Sequence, residues 1–595
     1  MKKSKKAKPR PKKAKRRVKK PTLKVRPAPR LVPEVPTLPS YVNESPDTPA
    51  QPLAQAGAAL RRSDPHAAFD LCREALGTDP QNVDALSLAG VAAFQVGLID
   101  DALNLLRSAV SFAPKHAEAQ TNLGNVLAHA GELQEAEAAY RAAMAADPNY
   151  AEAAFNLGRL LELAGDASGA AAAYAQALDS NPAHDLAQQG LGNAQKTLGQ
   201  LAAASDTYQA LLARTPKSPE ARTNLAAVLQ ELGDFEAAAD ECRKALTDAP
   251  DLAEARYNLG IALQEQGRFE DAIDAYETVL AAQPDNAAAS LNIAYGLQQM
   301  DKLDEAAQAL DRTIQLDPDF AKAHVNLADL HLQRGDAAEA VAVCDEFLAS
   351  HPANTDLMAF KAIALLDAGE PEAAAALINF ERFVKYSLIT PPDGFATMVD
   401  FNTALSDHVK THPSLSFAPQ SHATREARHS GELLSEPPES RESPIAALEI
   451  AIRDQVDAYR TTFGAHPDHP FAAHAPGALD LSIWGVVMQA AGHQIPHIHP
   501  AAWLSGVYYP KVPDVVAAQA AQTAEHAGWI EFGRPPDHFH NQTQPDVRAI
   551  QPAEGLMVLF PSYVYHHTVP FETGGTRISI AFDLIARRQA KKQEC

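Results

Sequence analysis

Proline recurs every 34 residues along this chain, at Pro80, Pro114, Pro148, Pro182, Pro216, Pro250, Pro284, Pro318 and Pro352. A period of that length marks stacked supersecondary units, not one continuous core. Small residues keep their own phase of the same period: Gly90, Gly124, Gly158, Gly192 and Gly260, with Ala226, Ala294 and Ala328 filling the gaps. Twelve residues after each comes an alanine, from Ala102 and Ala136 through to Ala340. Each unit reads as two amphipathic helices, as in AEARYNLGIALQEQG followed by RFEDAIDAYETVLAAQ. The small residues let the two helices of a pair approach closely. The proline stops the second helix, because it has no amide to donate and its ring clashes with the preceding turn.

The pattern resembles the tetratricopeptide repeat, and it predicts about ten units over residues 49–385, with weaker capping units near 49–82 and 355–385. Cys72, Cys242 and Cys344 share the phase of Tyr140, Tyr174, Tyr208 and Tyr276. They are therefore expected to be core thiols acting as small hydrophobes, not ligands. Asn122, Asn156, Asn224, Asn258, Asn292 and Asn326 recur two residues before the small residue of the first helix. In this repeat family the first helices line the concave face, where such a column can clamp an extended peptide through paired amide hydrogen bonds. The alternative is that these asparagines bond from one repeat to the next. On either reading the array is a surface for a protein or peptide partner.

Charge is unevenly spread. Residues 1–30 hold 16 Lys/Arg and no Asp/Glu, within a chain whose net charge is −22. That tail and the Pro-rich linker after it, residues 1–48, have too few apolar residues to fold and are expected to be disordered. The tail either binds an anionic partner (nucleic acid, anionic lipid or the acidic body of the chain) or is a solvated extension. No aromatics are interleaved with its lysines, which argues against single-stranded nucleic acid. The chain has no apolar run of about 18 residues, so no transmembrane segment is expected. No apolar stretch follows the basic N-terminus, so no signal peptide is expected. Four cysteines fit a reducing compartment, and a cytoplasmic location is expected.

Beyond residue 385 the composition changes. All three tryptophans and 15 of the 22 histidines lie there. Residues 386–474 read as a connecting region with one helix, PIAALEIAIRDQVDAYRTTFG. From 475 to 595 short β-branched and aromatic runs alternate with Gly/Pro turns: LDLSIWGVVMQAA, WLSGVYYPKV, WIEF, GLMVLFP and RISIAFDLI. That pattern predicts a jelly-roll or barrel domain. His497 and His499 in PHIHP share a face if the segment is extended, as two ligands of one metal must. His566 and His567 end another strand, and Arg577 and Ser579 share a face of a later one. An inward arginine in such a domain is costly unless it meets a carboxylate. His538 and His540, in a turn-rich segment, are expected on a surface loop, and His567 to point away from His566.

With LSGVYY, LFPS and RISIAF, residues 475–590 resemble the iron(II)- and 2-oxoglutarate-dependent oxygenases with a double-stranded β-helix core. The resemblance implies that His497 and His566 are metal ligands. It implies that Arg577 and Ser579, joined by Tyr509, hold the far carboxylate of 2-oxoglutarate. It departs from the family in one place: His499 stands where a carboxylate ligand is usual. Either three histidines hold the metal, or a water or His493 fills that position. The fold expected is thus an all-α tetratricopeptide superhelix followed by a mainly-β double-stranded β-helix (jelly-roll) domain. The function expected is an Fe(II)- and 2-oxoglutarate-dependent hydroxylase whose repeats recruit a partner. The alternatives are a non-catalytic scaffold with a degenerate metal site, which the missing carboxylate favours, and a three-histidine zinc hydrolase.

Overall fold

The structure is a computed structural model that describes residues 51–417, 423–434, 443–462, 468–518, 526–571 and 574–587. The basic tail expected at residues 1–48, with the anionic partner assigned to residues 1–30, lies outside them. The chain divides into two compact units at Asn258 and Leu259.

Twenty helices run in consecutive pairs from α1 (Gln51–Arg61) to α20 (Pro371–Ile378). The unit ending at Asn258 contains α1 to α12 (Phe235–Asp248), and the second unit opens with the remaining repeats. Each periodic proline stands immediately after the C-cap of a second helix, as Pro148 does after Asp147 and Pro182 after Asn181. The column of small residues is matched in size to the residue sixteen positions on. Gly124, Gly158, Gly192 and Gly260 face tyrosines and Gly90 faces Leu106: a Cβ added at Gly158 would stand 2.7 Å from the Tyr174 ring, and one at Gly124 would stand 2.6 Å from Tyr140. Where the small residue is Ala56, Ala226 or Ala328, the partner position holds Cys72, Cys242 or Cys344. The extra methyl thus coincides with a smaller side chain opposite it, which leaves room for it. All three cysteines are fully buried, and burial pushes each thiol up to about 12, so they are packing groups.

The asparagine column divides. Asn122 is buried and donates to Ser87 of the preceding repeat at 3.2 Å. Asn156 donates to Asn125 at 3.1 Å, and Asn125 also accepts from the Tyr140 hydroxyl at 2.8 Å. These two amides are spent between repeats. Asn292 is buried as well, while Asn224, Asn258 and Asn326 remain half-buried.

Past the repeats, after the short helix α21 (Phe380–Phe383), the chain builds a curled, jelly-roll-like sheet. Its strands are β1 (Lys385–Leu388), β2 (Ser416–Phe417), β3 (Thr424–His429), β4 (Leu479–His497), β5 (Leu504–Lys511), β6 (Ile530–Phe532), β7 (Arg548–Ile550), β8 (Leu556–Pro561), β9 (His566–Thr568) and β10 (Arg577–Ala586). The order β1-β8-β5-β10-β4-β9-β6-β7 is antiparallel at every pairing. Strand β4 is the hinge of this curl. Its residues up to Met488 pair with β10, and from Gln494 it pairs with β9. Between them Ala491 takes φ 69° opposite an irregular stretch of β3 where Glu426 takes φ 48°. The bulge bends the strand, so that its two halves serve two layers.

The region 386–474 is more than the one-helix connection the sequence predicts. β1 pairs with β8 at the sheet edge, and β3 pairs with β4. Two helices, α22 (Met398–Thr411) and α23 (Pro444–Thr461), cover the sheet with fully buried Phe401, Leu405, Val409, Leu448 and Ile452. The Tyr508 hydroxyl donates to Asn402 at 2.5 Å, which ties α22 to β5. These residues were unreadable as strands because β1 and β3 are short and join the main sheet through β8 and β4, more than fifty residues away.

The segment 533–547 also departs from expectation. It is no free surface loop: it lies against α17 (Ala321–Arg334) and α19 (Thr355–Asp367) of the last repeats. The His540 backbone N–H and ring both bond Asp329 at 2.8 Å, the N–H groups of Gln542 and Thr543 bond Asp367 at 2.7 Å, and Phe539 packs edge-on against Phe360. Repeats and sheet are thereby parts of one packed body in this unit, with α17, α19 and the sheet sharing a core.

The size matching predicts a compensating pair. Gly158→Ala should destabilise the protein by about 1–3 kcal/mol, because overpacking outweighs the ~1 kcal/mol helix preference of alanine over glycine. Tyr174→Cys alone is costly because it opens a cavity, but Gly158→Ala should cost less in the Tyr174→Cys background than beside Tyr174 in thermal or denaturant unfolding. An equal cost of Gly158→Ala in both backgrounds would contradict the pairing.

Candidate metal centre

Three histidines meet in the fold between the two halves of the bent strand. His497 closes β4 and His566 opens β9, and the register makes them direct cross-strand neighbours. Their ring centroids are 4.3 Å apart. His499 lies two residues past the end of β4, where its N–H donates to the Ser562 carbonyl at 3.0 Å. Its ring is 5.2 Å from His497 and 5.1 Å from His566. One ring nitrogen from each of the three lies within 4.8 Å of the others, so a single cation could take all three.

The hydrogen bonds behind the rings fix which nitrogen faces forward. His497 Nδ1 lies 2.7 Å from the Ile495 carbonyl and His566 Nδ1 lies 3.1 Å from the Val564 carbonyl. A carbonyl only accepts, so Nδ1 carries the proton in both rings and Nε2 carries the lone pair. His499 Nδ1 meets both oxygens of Asp583 at 2.7 and 2.8 Å, which favours the same tautomer. Three neutral imidazoles presenting Nε2 suit Fe, Zn or Cu.

The same cavity, about 210 Å³, is lined by Arg577, Ser579 and Tyr509. Arg577 and Ser579 sit at period two on β10, and Arg577 pairs with Met488 just before the bend in β4. The Arg577 side chain is 2% exposed. Its Nη2 reaches the Tyr509 hydroxyl at 3.4 Å and the guanidinium lies 5.1 Å from the Tyr509 ring centre. Its Nε and Nη1 are buried without a hydrogen-bond partner among the described residues. Burial depresses its proton affinity, with Tyr509 acting the other way, and burial raises that of Tyr509. A buried cation with two unused donors is a cost of several kcal/mol unless an anion meets it. The cavity is thus cationic at one end and offers nitrogen lone pairs at the other, which fits a metal with a carboxylate ligand.

Among the described residues, the neighbouring histidines stay out of this cluster. His567 points away toward Glu531 at 3.7 Å, and burial lowers its proton affinity against the pull of that carboxylate. His493 is turned to the Ala491 carbonyl at 2.9 Å. His540 is bound to Asp329, and His538 packs beside Phe539 at 4.4 Å between ring centres. Sequence reasoning missed Asp583. Its only signal was its place at period two from Arg577 and Ser579, on a face already marked as inward.

Comparison with known proteins agrees with this geometry. Residues 482–583 match the family described as "Putative 2OG-Fe(II) oxygenase". Tetratricopeptide repeat families match from residue 53 to residue 379. The chain is a tetratricopeptide repeat protein fused to a domain of that oxygenase family. Among solved structures, MamA is similar at 27% identity, covering 27% of this chain and 95% of its own, with a TM-score of 0.25. YrrB, described as a tetratricopeptide protein with an unusual peptide-binding site, is 23% identical over 31% of this chain and 95% of its own, with a TM-score of 0.29. The Cut9–Hcn1 assembly of the APC/C is 20% identical over 48% of this chain and 56% of its own, with a TM-score of 0.34. No curated protein matches the chain. None of the described helices is long and apolar enough to cross a membrane.

Proposed function

We propose that this protein is an iron(II)- and 2-oxoglutarate-dependent oxygenase that hydroxylates a substrate brought to it by its repeats. One observation carries the reading: a fully buried guanidinium with two unused donors shares a cavity with three converging histidines. His497, His499 and His566 would hold the iron through Nε2. Arg577, with Ser579 and Tyr509, would hold the distal carboxylate of the cosubstrate. When bound, iron and 2-oxoglutarate supply the reduction of dioxygen, in which the keto acid leaves as succinate and carbon dioxide while one oxygen atom enters a C–H bond.

The residues of the chain contribute position, charge and dryness. The Nδ1 hydrogen bonds set the tautomer and aim of each ring. Arg577 offers a fork of donors at a fixed depth, which selects a dicarboxylate long enough to reach from the histidines. Val507, Ile530, Phe560 and Ala581 line the walls and limit the access of water. A zinc hydrolase would use the same nitrogens but has no use for Arg577. A non-catalytic scaffold would leave that cation buried without a counter-charge.

In the unit ending at Asn258 the half-buried Asn224 and Asn258 are left to meet a peptide, as Asn326 is in the other unit, so recruitment of a protein or peptide is assigned to the asparagine-bearing first helices of the repeats. The reducing, cytoplasmic setting expected from the free thiols suits iron(II), and is part of the same reading.

Two outcomes are expected. His497→Ala and His566→Ala should each abolish stoichiometric iron binding, measured by metal analysis after dialysis, since a site reduced to two ligands holds first-row metals poorly. Iron retained at full occupancy in either variant would remove that residue from the ligand set. Arg577→Ala should keep its iron and lose affinity for 2-oxoglutarate by roughly 30-fold to several-thousand-fold, from the ~2–5 kcal/mol attached to a buried charge-assisted pair. Anaerobic calorimetry on the iron-loaded proteins reads this, and a wild type that binds iron but no 2-oxoglutarate would overturn the assignment.

A further inference from the structure

The position where the related oxygenases place a carboxylate ligand holds His499, and directly behind that ring stands a carboxylate. We propose that Asp583 is a positioning residue that returns the missing negative charge to the centre through His499, from one ligand further out. The inference rests on the metal centre proposed above.

Four observations converge on it. First, the three rings are not supported alike. The Nδ1 atoms of His497 and His566 meet neutral backbone carbonyls, whereas His499 Nδ1 meets a carboxylate, with both oxygens within 2.8 Å. Second, Asp583 is held in place from the other side. Ser505 is its cross-strand neighbour on β5, and the Ser505 hydroxyl donates to Asp583 at 2.6 Å. The carboxylate is therefore placed by the sheet before any metal arrives. Third, it belongs to the strand that carries the cosubstrate site. Arg577, Ser579 and Asp583 stand at even spacing on one face of β10, so the strand presents a cation at one end of the site and an anion at the other. Fourth, Asp583 does not line the cavity, while His499 does. The carboxylate is thus placed to act on a bound ion through the ring and not by direct ligation.

The electrostatic reason is specific to this donor set. Three neutral imidazoles leave a dication with its full charge in a low-dielectric cavity that also contains the Arg577 guanidinium. A carboxylate hydrogen-bonded to Nδ1–H makes Nε2 a stronger donor and brings one negative charge close to the ion. A charge moved outward in this way also keeps three nitrogen ligands, which a direct Asp ligand would not.

Calorimetric titration of the metal-free, full-length protein with Co(II), a redox-stable stand-in for iron(II), tests this. Asp583→Asn is nearly isosteric, can still accept from Ser505, and removes the charge together with one of the two acceptor oxygens that meet His499. It should bind Co(II) about 10- to 100-fold more weakly than wild type, the usual cost of losing a partner of a metal-bound histidine. Ser505→Ala removes one support of Asp583 while leaving its charge, and should weaken binding less than Asp583→Asn does. Asp583→Glu, which keeps the charge, should bind more tightly than Asp583→Asn. Thermal unfolding checks each fold, and Asp583→Ser takes the place of the Asn variant if that one does not fold. Wild-type affinity in the uncharged variant, or equal weakening in Ser505→Ala, overturns the role of Asp583. Absence of Co(II) binding in the wild type would instead overturn the metal centre itself.

Discussion

A guanidinium cannot be taken out of water without a counter-charge at a cost small enough to ignore, and this sheet takes one out completely. Arg577 begins β10, the central strand of the fold, where β4 and β5 flank it on either side. Its one polar contact among the described residues, the Tyr509 hydroxyl, is neutral and long. The fold therefore stores an unmet demand for an anion at one fixed point. The bent β4 sets the three histidines across the cavity from that point. Cation and lone pairs face the same space, and the ligand that satisfies both must be an anion able to reach a metal.

The helical repeats solve a different problem by simpler means. Each pair of helices must close on its neighbour at nearly constant spacing, while its core residue varies among tyrosine, leucine and cysteine. The chain achieves this by coupling residue sizes at a separation of sixteen, glycine against tyrosine and alanine against cysteine. Where the last repeats end, α17 and α19 use acidic side chains, Asp329 and Asp367, to accept backbone N–H groups of the segment 533–547. That is the kind of contact such helices can also offer to an extended peptide. Here the chain supplies the segment itself, which anchors the sheet to the end of the repeats.

Much of this was legible in the sequence, for physical reasons that can be named. The prolines and small residues betray the repeats because helix ends and close helix contacts tolerate few residue types. Arg577 stood out because a cation on an inward strand face needs a purpose, and His497 and His499 because they share a face of an extended segment, whereas His566 was singled out by resemblance to the oxygenases. What escaped was non-local. Asp583 looked like an ordinary strand residue until the fold brought His499, 84 positions away in sequence, against it. The strands β1 and β3 are too short to signal themselves, and their pairing with β8 and β4 is a property of the sheet. The loop around His540 reads as surface until α17 is in place to receive it. The buried Asn122 and Asn156 show the converse: a column in phase can serve the repeats themselves at some positions and remain open to a partner at others.

The central claim is that the cavity performs oxidative decarboxylation of 2-oxoglutarate. Succinate formation and dioxygen consumption by the full-length protein, followed together with iron(II), zinc or no metal added, test it most directly. The account predicts succinate formed only with iron(II), at one succinate per dioxygen consumed, and none from zinc-loaded protein. Iron-loaded protein that forms no succinate with any of a panel of peptide or small-molecule substrates, and consumes no dioxygen, would contradict it.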